Sequence, residues 1–244
     1  MKTVCVIPAR YASTRLPGKP LALLAGKPMI QHVYEQAVQA RGVQEVLVAT
    51  DDERIVKAVE AFGGQALLTS STHPTGTDRL AEVARKHTDA DIIINVQGDE
   101  PLVEPQVIEA LAAAFVERPA LQMATLCTPL LPEEAAQDSV VKVVLDQKGY
   151  AMYFSRSLIP FPRKPGLVQA YKHLGLYGYR RDFLLEYAAM QPTPLEQTES
   201  LEQLRALEYG HKILVLPTEH ASVGVDTPED LKRVEAILLS RGER

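Results

Sequence analysis

The sequence has no tryptophan, two cysteines and only 6% aromatic residues in 244. Cys5 and Cys127 lie in apolar stretches with no CxxC spacing. That excludes a disulfide framework or zinc knuckle and fits a reducing compartment. The histidines at 32, 73, 87, 211 and 220 are scattered, with no HExxH pair, so zinc is not expected. No apolar run approaches the roughly 18 residues of a membrane span. The apolar N-terminal stretch 4–7 is too short for a secretory signal and reads as a strand. A cytoplasmic location is expected. The net charge is −5, which argues against nucleic acid or an anionic membrane as partner.

Acidic residues are also missing from one place. Residues 1–34 contain no Asp or Glu, but do contain Lys2, Arg10, Arg15, Lys19 and Lys27. A basic island on an acidic chain points to a small bound anion rather than a polyanion.

What is present is a regular alternation of apolar patterns. Strands are predicted at 3–7, 45–49, 65–68 and 91–96, and helices at 28–40, 53–62, 77–86 and 104–117. This order predicts a three-layer α/β fold: a mostly parallel twisted sheet with helices on both faces. The second half is less regular. Strands are expected at 140–145, 151–154, 173–179 and 212–216, with helices at 195–208 and 228–239, forming an irregular β-rich insertion on that core. No linker or repeat divides the chain, so 1–244 reads as one domain.

Ligands in such sheets bind at the carboxyl ends of strands. The segment 9–20 falls there and holds three cations and two hydroxyls. Guanidinium forks match phosphate oxygens in pairs, and an ammonium adds a mobile charge. The segment is not a Walker A loop, because Pro20 follows Gly18-Lys19, and no GxGxxG is present. Gln97-Gly98-Asp99 ends another strand, placing Asp99 in the same crevice. Magnesium wants hard oxygen ligands, commonly one or two protein carboxylates with phosphates. Asp226 precedes a good helix start, Thr227-Pro228, and on that ground alone is as well explained by its place before the cap. No GxSxG elbow is present, and neither cysteine is placed like a nucleophile.

The run from Ile7 through Leu21, IPARYASTRLPGKPL, closely resembles the signature of the bacterial sugar-acid cytidylyltransferases. So do, in the same order, the blocks at 48–51, 76–82, 95–101, 141–146, 153–156, 173–175, 201–205 and 224–231. These span nearly the whole chain. The best-matching branch uses 3-deoxy-manno-octulosonate (Kdo). The resemblance implies a nucleotidyltransferase, Rossmann-like fold, and transfer of CMP from CTP to the anomeric hydroxyl of Kdo with release of pyrophosphate, for lipopolysaccharide biosynthesis.

It also implies roles by position. CTP would be held by Pro8, Ala9, Arg10, Ser13, Arg15, Lys19, Thr75, Gly76, Thr77, Arg79 and Gln97. Arg10, Lys19, Asp99 and Asp226 would serve catalysis, with Asp99 and Asp226 holding Mg²⁺, two ions when CTP is bound. The sugar would meet Arg156, His173, Tyr177, Glu202 and Gln203, with Arg156 facing its carboxylate. The half 1–120 would bind nucleotide, and 121–244 would bind sugar and form a homodimer through 125–180.

Some residues depart from the family pattern. Thr75 stands where Ser is common, Asp78 where Glu is common, and 160–170 is short. These leave room for another acid sugar, such as an amino-substituted Kdo. A sialic acid is disfavoured by the blocks at 153–156 and 173–175. A non-catalytic nucleotide-binding protein is disfavoured by the joint presence of Arg10, Lys19, Asp99 and Asp226.

Overall fold

The computed structural model describes residues 1–12, 16–164, 166–220 and 223–240. Ser13 and Arg15 lie outside them. In chain order the elements are β1 (Thr3–Ala9), β2 (Leu23–Leu24), β3 (Lys27–Pro28), α1 (Met29–Gln39), β4 (Glu45–Thr50), α2 (Glu53–Ala61), β5 (Ala66–Leu68), α3 (Gly76–Lys86), β6 (Ile92–Asn95), α4 (Pro105–Glu117) and β7 (Met123–Pro129). There follow β8 (Lys142–Leu145), β9 (Ala151–Ser155), β10 (Tyr171–Arg180), α5 (Arg181–Ala189), α6 (Pro194–Glu199), α7 (Gln203–Glu208), β11 (Ile213–Pro217) and α8 (Pro228–Ser240).

The main path of the central sheet is ordered β11-β7-β10-β6-β1-β4-β5, with β8 and β9 extending from β10. Strand β1 pairs in parallel with β4 on one side and β6 on the other. The strand order therefore reverses at β1, and a crevice opens beyond the carboxyl ends of β1 and β6. Strand β10 runs antiparallel to both β6 and β7, while β11 is parallel to β7.

Alternation along β1 explains the three layers. Cys5, Ile7 and Ala9 face a core shared with Val33 of α1, Val59 of α2 and Phe115 of α4. Val4 and Val6 face the opposite core, built with Leu80 of α3, Leu184 of α5 and Leu204 of α7. Burial of each such aliphatic side chain contributes roughly 1.5–3 kcal/mol. Every residue of β1 is buried except Pro8, so the strand that leads into the crevice is anchored on both faces.

A third, smaller cluster joins Leu24, Met29, Leu102, Val225, Val234 and Leu238. It seats α8 beside the β2–β3 hairpin and brings the chain before α8 to the crevice. Glu235 also accepts a hydrogen bond from the Ala25 amide at 3.1 Å.

The helix caps follow the sequence. Asp52 caps α2 by accepting from the Arg54 amide at 2.9 Å. Thr75 and Asp78 form a reciprocal capping box on α3. Thr227 and Asp230 exchange the same pair of bonds at the start of α8.

Three features differ from the sequence expectation. The helix expected at 195–208 is two, α6 and α7, because Ser200 adopts a left-handed backbone with φ 53°. Strand β7 has no alternating pattern to betray it, since Met123 through Thr128 are all buried. Helix α5 follows β10 directly, with no loop to separate the two patterns.

Candidate active site

The crevice is built on a close approach of β1 and the turn after β6. A Cβ on residue 98 would sit 2.8 Å from the Pro8 carbonyl oxygen, so only glycine fits. The sequence suggests that Gly98 serves a tight turn, but its φ lies outside the left-handed region and backbone proximity is the reason. Gly18, by contrast, does adopt φ 69°. Its amide donates to the Tyr11 carbonyl at 3.1 Å, folding the first loop back on itself. The Tyr11 ring carries the Arg54 guanidinium 3.4 Å above its centroid.

A cavity of about 430 Å³ results, lined by Pro8, Ala9, Arg10, Lys19, Gly76, Gln97, Asp99 and Asp226 among others. Eight of the residues expected from sequence thus meet in one place. Lys19 Nζ donates to Asp99 Oδ2 at 2.6 Å, to Asp226 Oδ1 at 3.0 Å and to the Val225 carbonyl at 3.1 Å. Burial disfavours the Lys19 ammonium, but the charge and hydrogen bonds of Asp99 and Asp226 outweigh it and its pKa is raised. The two carboxylates come from segments 127 positions apart, and the Val225 amide locks them together by donating to the Asp99 carbonyl at 2.9 Å. Arg10 Nη2 donates to the His73 carbonyl at 3.0 Å.

An inner compartment of about 150 Å³ shares Gly76 and Gln97 with the outer one. Thr77, Asn95, Tyr177, Tyr179, Tyr187, Glu202 and Gln203 complete its wall. Gln97 is fixed by donating from Nε2 to the Gly175 carbonyl at 3.0 Å. Burial raises the Glu202 pKa against the opposing effects of the Thr77 hydroxyl and Arg205. Asn95 Oδ1 and Glu202 Oε1 are buried acceptors without a hydrogen-bond partner among the described residues. The sequence did not single out Asn95, Tyr179 or Tyr187; their aromatic and amide character reads equally well as core.

Four expected contacts lie elsewhere. The Arg79 side chain is fully buried, pairs with Asp51 at 3.0 Å and donates to Thr69. It therefore braces the segment before α3 instead of lining the cavity. Thr75 engages Asp78 in the cap. Arg156 donates from Nε to the Glu199 carbonyl at 2.8 Å and from Nη1 to the Asp138 carbonyl at 2.9 Å, beside a separate cavity. His173 packs between Phe154 and Tyr177, behind the inner wall. Burial lowers its pKa to about 3, so it is neutral. The Thr125 hydroxyl has one proton and sits 2.7 Å from the Leu176 carbonyl, so His173 Nε2 donates to Thr125 at 2.9 Å.

Asp99 and Asp226 fit a divalent cation, because both already converge on one positive group. Among the described residues there is no cluster of three or more His, Cys, Asp or Glu able to hold a metal. A pair of carboxylates completed by phosphate oxygens suits magnesium.

Fold and site together define an α/β nucleotidyltransferase with a polar, cation-rimmed cleft. The chain matches the family model described as Cytidylyltransferase over residues 4–213, and it belongs to that family. A 3-deoxy-manno-octulosonate cytidylyltransferase from Geobacter sulfurreducens is 55% identical, covering 96% of this chain and 98% of the relative. Another from Myxococcus xanthus is 54% identical over 99% of this chain and 98% of its own. The solved structure of a CMP:2-keto-3-deoxy-manno-octonic acid synthetase complexed with CTP superposes with a TM-score of 0.96 at 51% identity, covering 99% and 100% of the two chains. A Leptospira borgpetersenii cytidylyltransferase, at 16% identity and a TM-score of 0.68, shares the fold.

Proposed function

We propose that this protein transfers CMP from CTP to the anomeric hydroxyl of Kdo, releasing pyrophosphate. The convergence of Lys19, Asp99 and Asp226 at the crevice mouth carries this reading, because it supplies both a phosphate cation and a metal pair.

In this reading CTP occupies the outer compartment, between Pro8, Ala9, Arg10, Gly76 and Gln97. Asp99 and Asp226 hold magnesium, two ions with CTP bound. When bound, the metal lowers the pKa of the acceptor hydroxyl and offsets phosphate charge. Lys19 and Arg10 neutralise charge on the departing pyrophosphate. The sugar lies in the inner compartment, where its hydroxyls donate to Asn95 Oδ1 and Glu202 Oε1 and meet Tyr177 and Gln203. His173 supports this wall from behind by packing on Tyr177. Gly76 and Gln97, shared by both compartments, bring the two substrates together.

Transfer is direct and in line, with no covalent enzyme intermediate. Cys5 and Cys127 are buried, and burial pushes both thiols to about 12.

We further read the protein as a cytoplasmic homodimer serving lipopolysaccharide assembly. No helix among the described residues is long and apolar enough to cross a membrane. Phe161, Leu167 and Val168 are each more than two-thirds exposed and suit a partner copy. Residues 1–120 supply most of the nucleotide contacts and 121–244 most of the sugar and dimer contacts. Asp226, on the nucleotide side, is the clear exception.

The test is pyrophosphate release from CTP and Mg²⁺ with Kdo, with sialic acid, and with no sugar. Release with Kdo alone is expected. Release only with sialic acid would keep the nucleotide site and overturn the acceptor.

A further inference from the structure

The contacts of Lys19 go beyond the phosphate role proposed for it. Its ammonium has three protons and three partners: Asp99, Asp226 and the Val225 carbonyl, all within 3.1 Å. A cation thus already sits between the two carboxylates that would hold the metal.

Its backbone is fixed. Gly18 precedes it in a left-handed conformation and Pro20, which follows, is buried. The Lys19 amide donates to the Leu16 carbonyl and its carbonyl accepts from Ala22, both at 3.1 Å. Only the side-chain torsions can carry the ammonium elsewhere. Arg10 and the open volume of the outer compartment lie alongside.

We infer that Lys19 is the resident counterion of the Asp99–Asp226 pair, which a divalent cation can occupy only after a triphosphate draws the lysine away. This rests on the functional reading above. Charge explains the exclusion. A dication entering beside an ammonium that bridges the same oxygens meets strong repulsion and finds its ligands already engaged. A triphosphate offers the ammonium a richer set of anionic oxygens, and its departure opens Asp99 Oδ2 and Asp226 Oδ1 to a dication. Nucleotide and metal therefore bind cooperatively. By linkage, each raises the affinity of the other by the same factor. The lysine guards the site against metal alone, and the free protein needs no metal to hold its two acids together.

The experiment measures Mn²⁺ binding to the full chain by electron paramagnetic resonance, without nucleotide. It compares the wild-type protein, Lys19→Met and Lys19→Met/Asp99→Asn. Lys19→Met should bind Mn²⁺ roughly tenfold or more tighter than wild type. The double variant should lose that gain. Thermal melting gives a second readout: Mg²⁺ should raise the midpoint of Lys19→Met and leave nucleotide-free wild type unchanged. Lys19→Gln serves the same comparison if Lys19→Met fails to fold. Equal Mn²⁺ affinity in wild type and the lysine variant, or a gain that survives loss of Asp99, would overturn the inference. Pyrophosphate release by wild type is assayed on the same preparation, so failure of the functional reading is seen separately.

Discussion

The amide of Val225 donates to the carbonyl of Asp99 at 2.9 Å, and this one backbone bond sets the spacing of the two crevice carboxylates. Val225 is itself fully buried in the cluster that seats α8. The geometry of the chemistry thus depends on a helix near the end of the chain. Replacing Asp99 or Asp226 by Asn should reduce turnover at least about a thousandfold, as loss of a charge stabiliser does. Both side chains are partly exposed, so the melting temperature should barely move. Undiminished pyrophosphate release in both variants would refute the metal assignment.

Gly98→Ala tests the close approach of the two strand ends. The new Cβ would lie 2.8 Å from a backbone oxygen that cannot move aside alone. A loss of about 1–3 kcal/mol is expected in denaturant unfolding. A wild-type midpoint would show that the strands can part freely.

Arg79→Met separates support from contact. It leaves Asp51 without its partner and removes a fully buried guanidinium. Stability should drop by about 2–4 kcal/mol, as when one member of a buried pair is removed. The folded fraction should still bind CTP with near wild-type affinity, measured by calorimetry at low temperature. Loss of CTP binding with unchanged stability would restore the direct nucleotide contact expected from sequence.

Glu202→Gln keeps the shape of the inner wall and changes its charge. Glu202 Oε1 is a buried acceptor with no donor among the described residues. The KM for Kdo should rise by about tenfold while the KM for CTP stays constant, since one charge-assisted bond is weakened. Equal effects on both substrates would argue against separate compartments.

His173 gives a pH signature. Burial lowers its pKa from 6.5 to about 3, so the unfolded chain takes up the proton first as pH falls. Its contribution is therefore complete above pH 6.5 and is lost between 6.5 and 3, at no more than about 1.4 kcal/mol per pH unit. His173→Gln should flatten the stability profile across that window. An unchanged slope in urea titrations would show that other groups dominate it.

Much of this was legible in the residues. The acid-free first segment pointed to Arg10 and Lys19, and both line the cleft. Thr227-Pro228 announced the start of α8, and strand–helix alternation announced the sheet. What escaped reading did so for physical reasons. Strand β7 is buried on both faces and so has no period. Ser200 breaks a helix through one backbone angle that its own chemistry does not announce. Arg79 and Arg156 are cations beside expected ligand positions, yet their donors go to protein oxygens. Composition cannot separate a guanidinium that greets a ligand from one that holds a wall.

Strand β10 enters the sheet against the direction of β6, pairing Tyr177 with Asn95. One side of the cleft is therefore a hydrogen-bonded wall, while on the other the described ends of the first loop meet through the Gly18 amide and the Tyr11 carbonyl. If the sugar lies in the inner compartment as proposed, it must match a shape set by paired strands. Selectivity would then drift slowly on the sugar side. A new acceptor would call for replaced strand residues, and grafting a loop would not suffice.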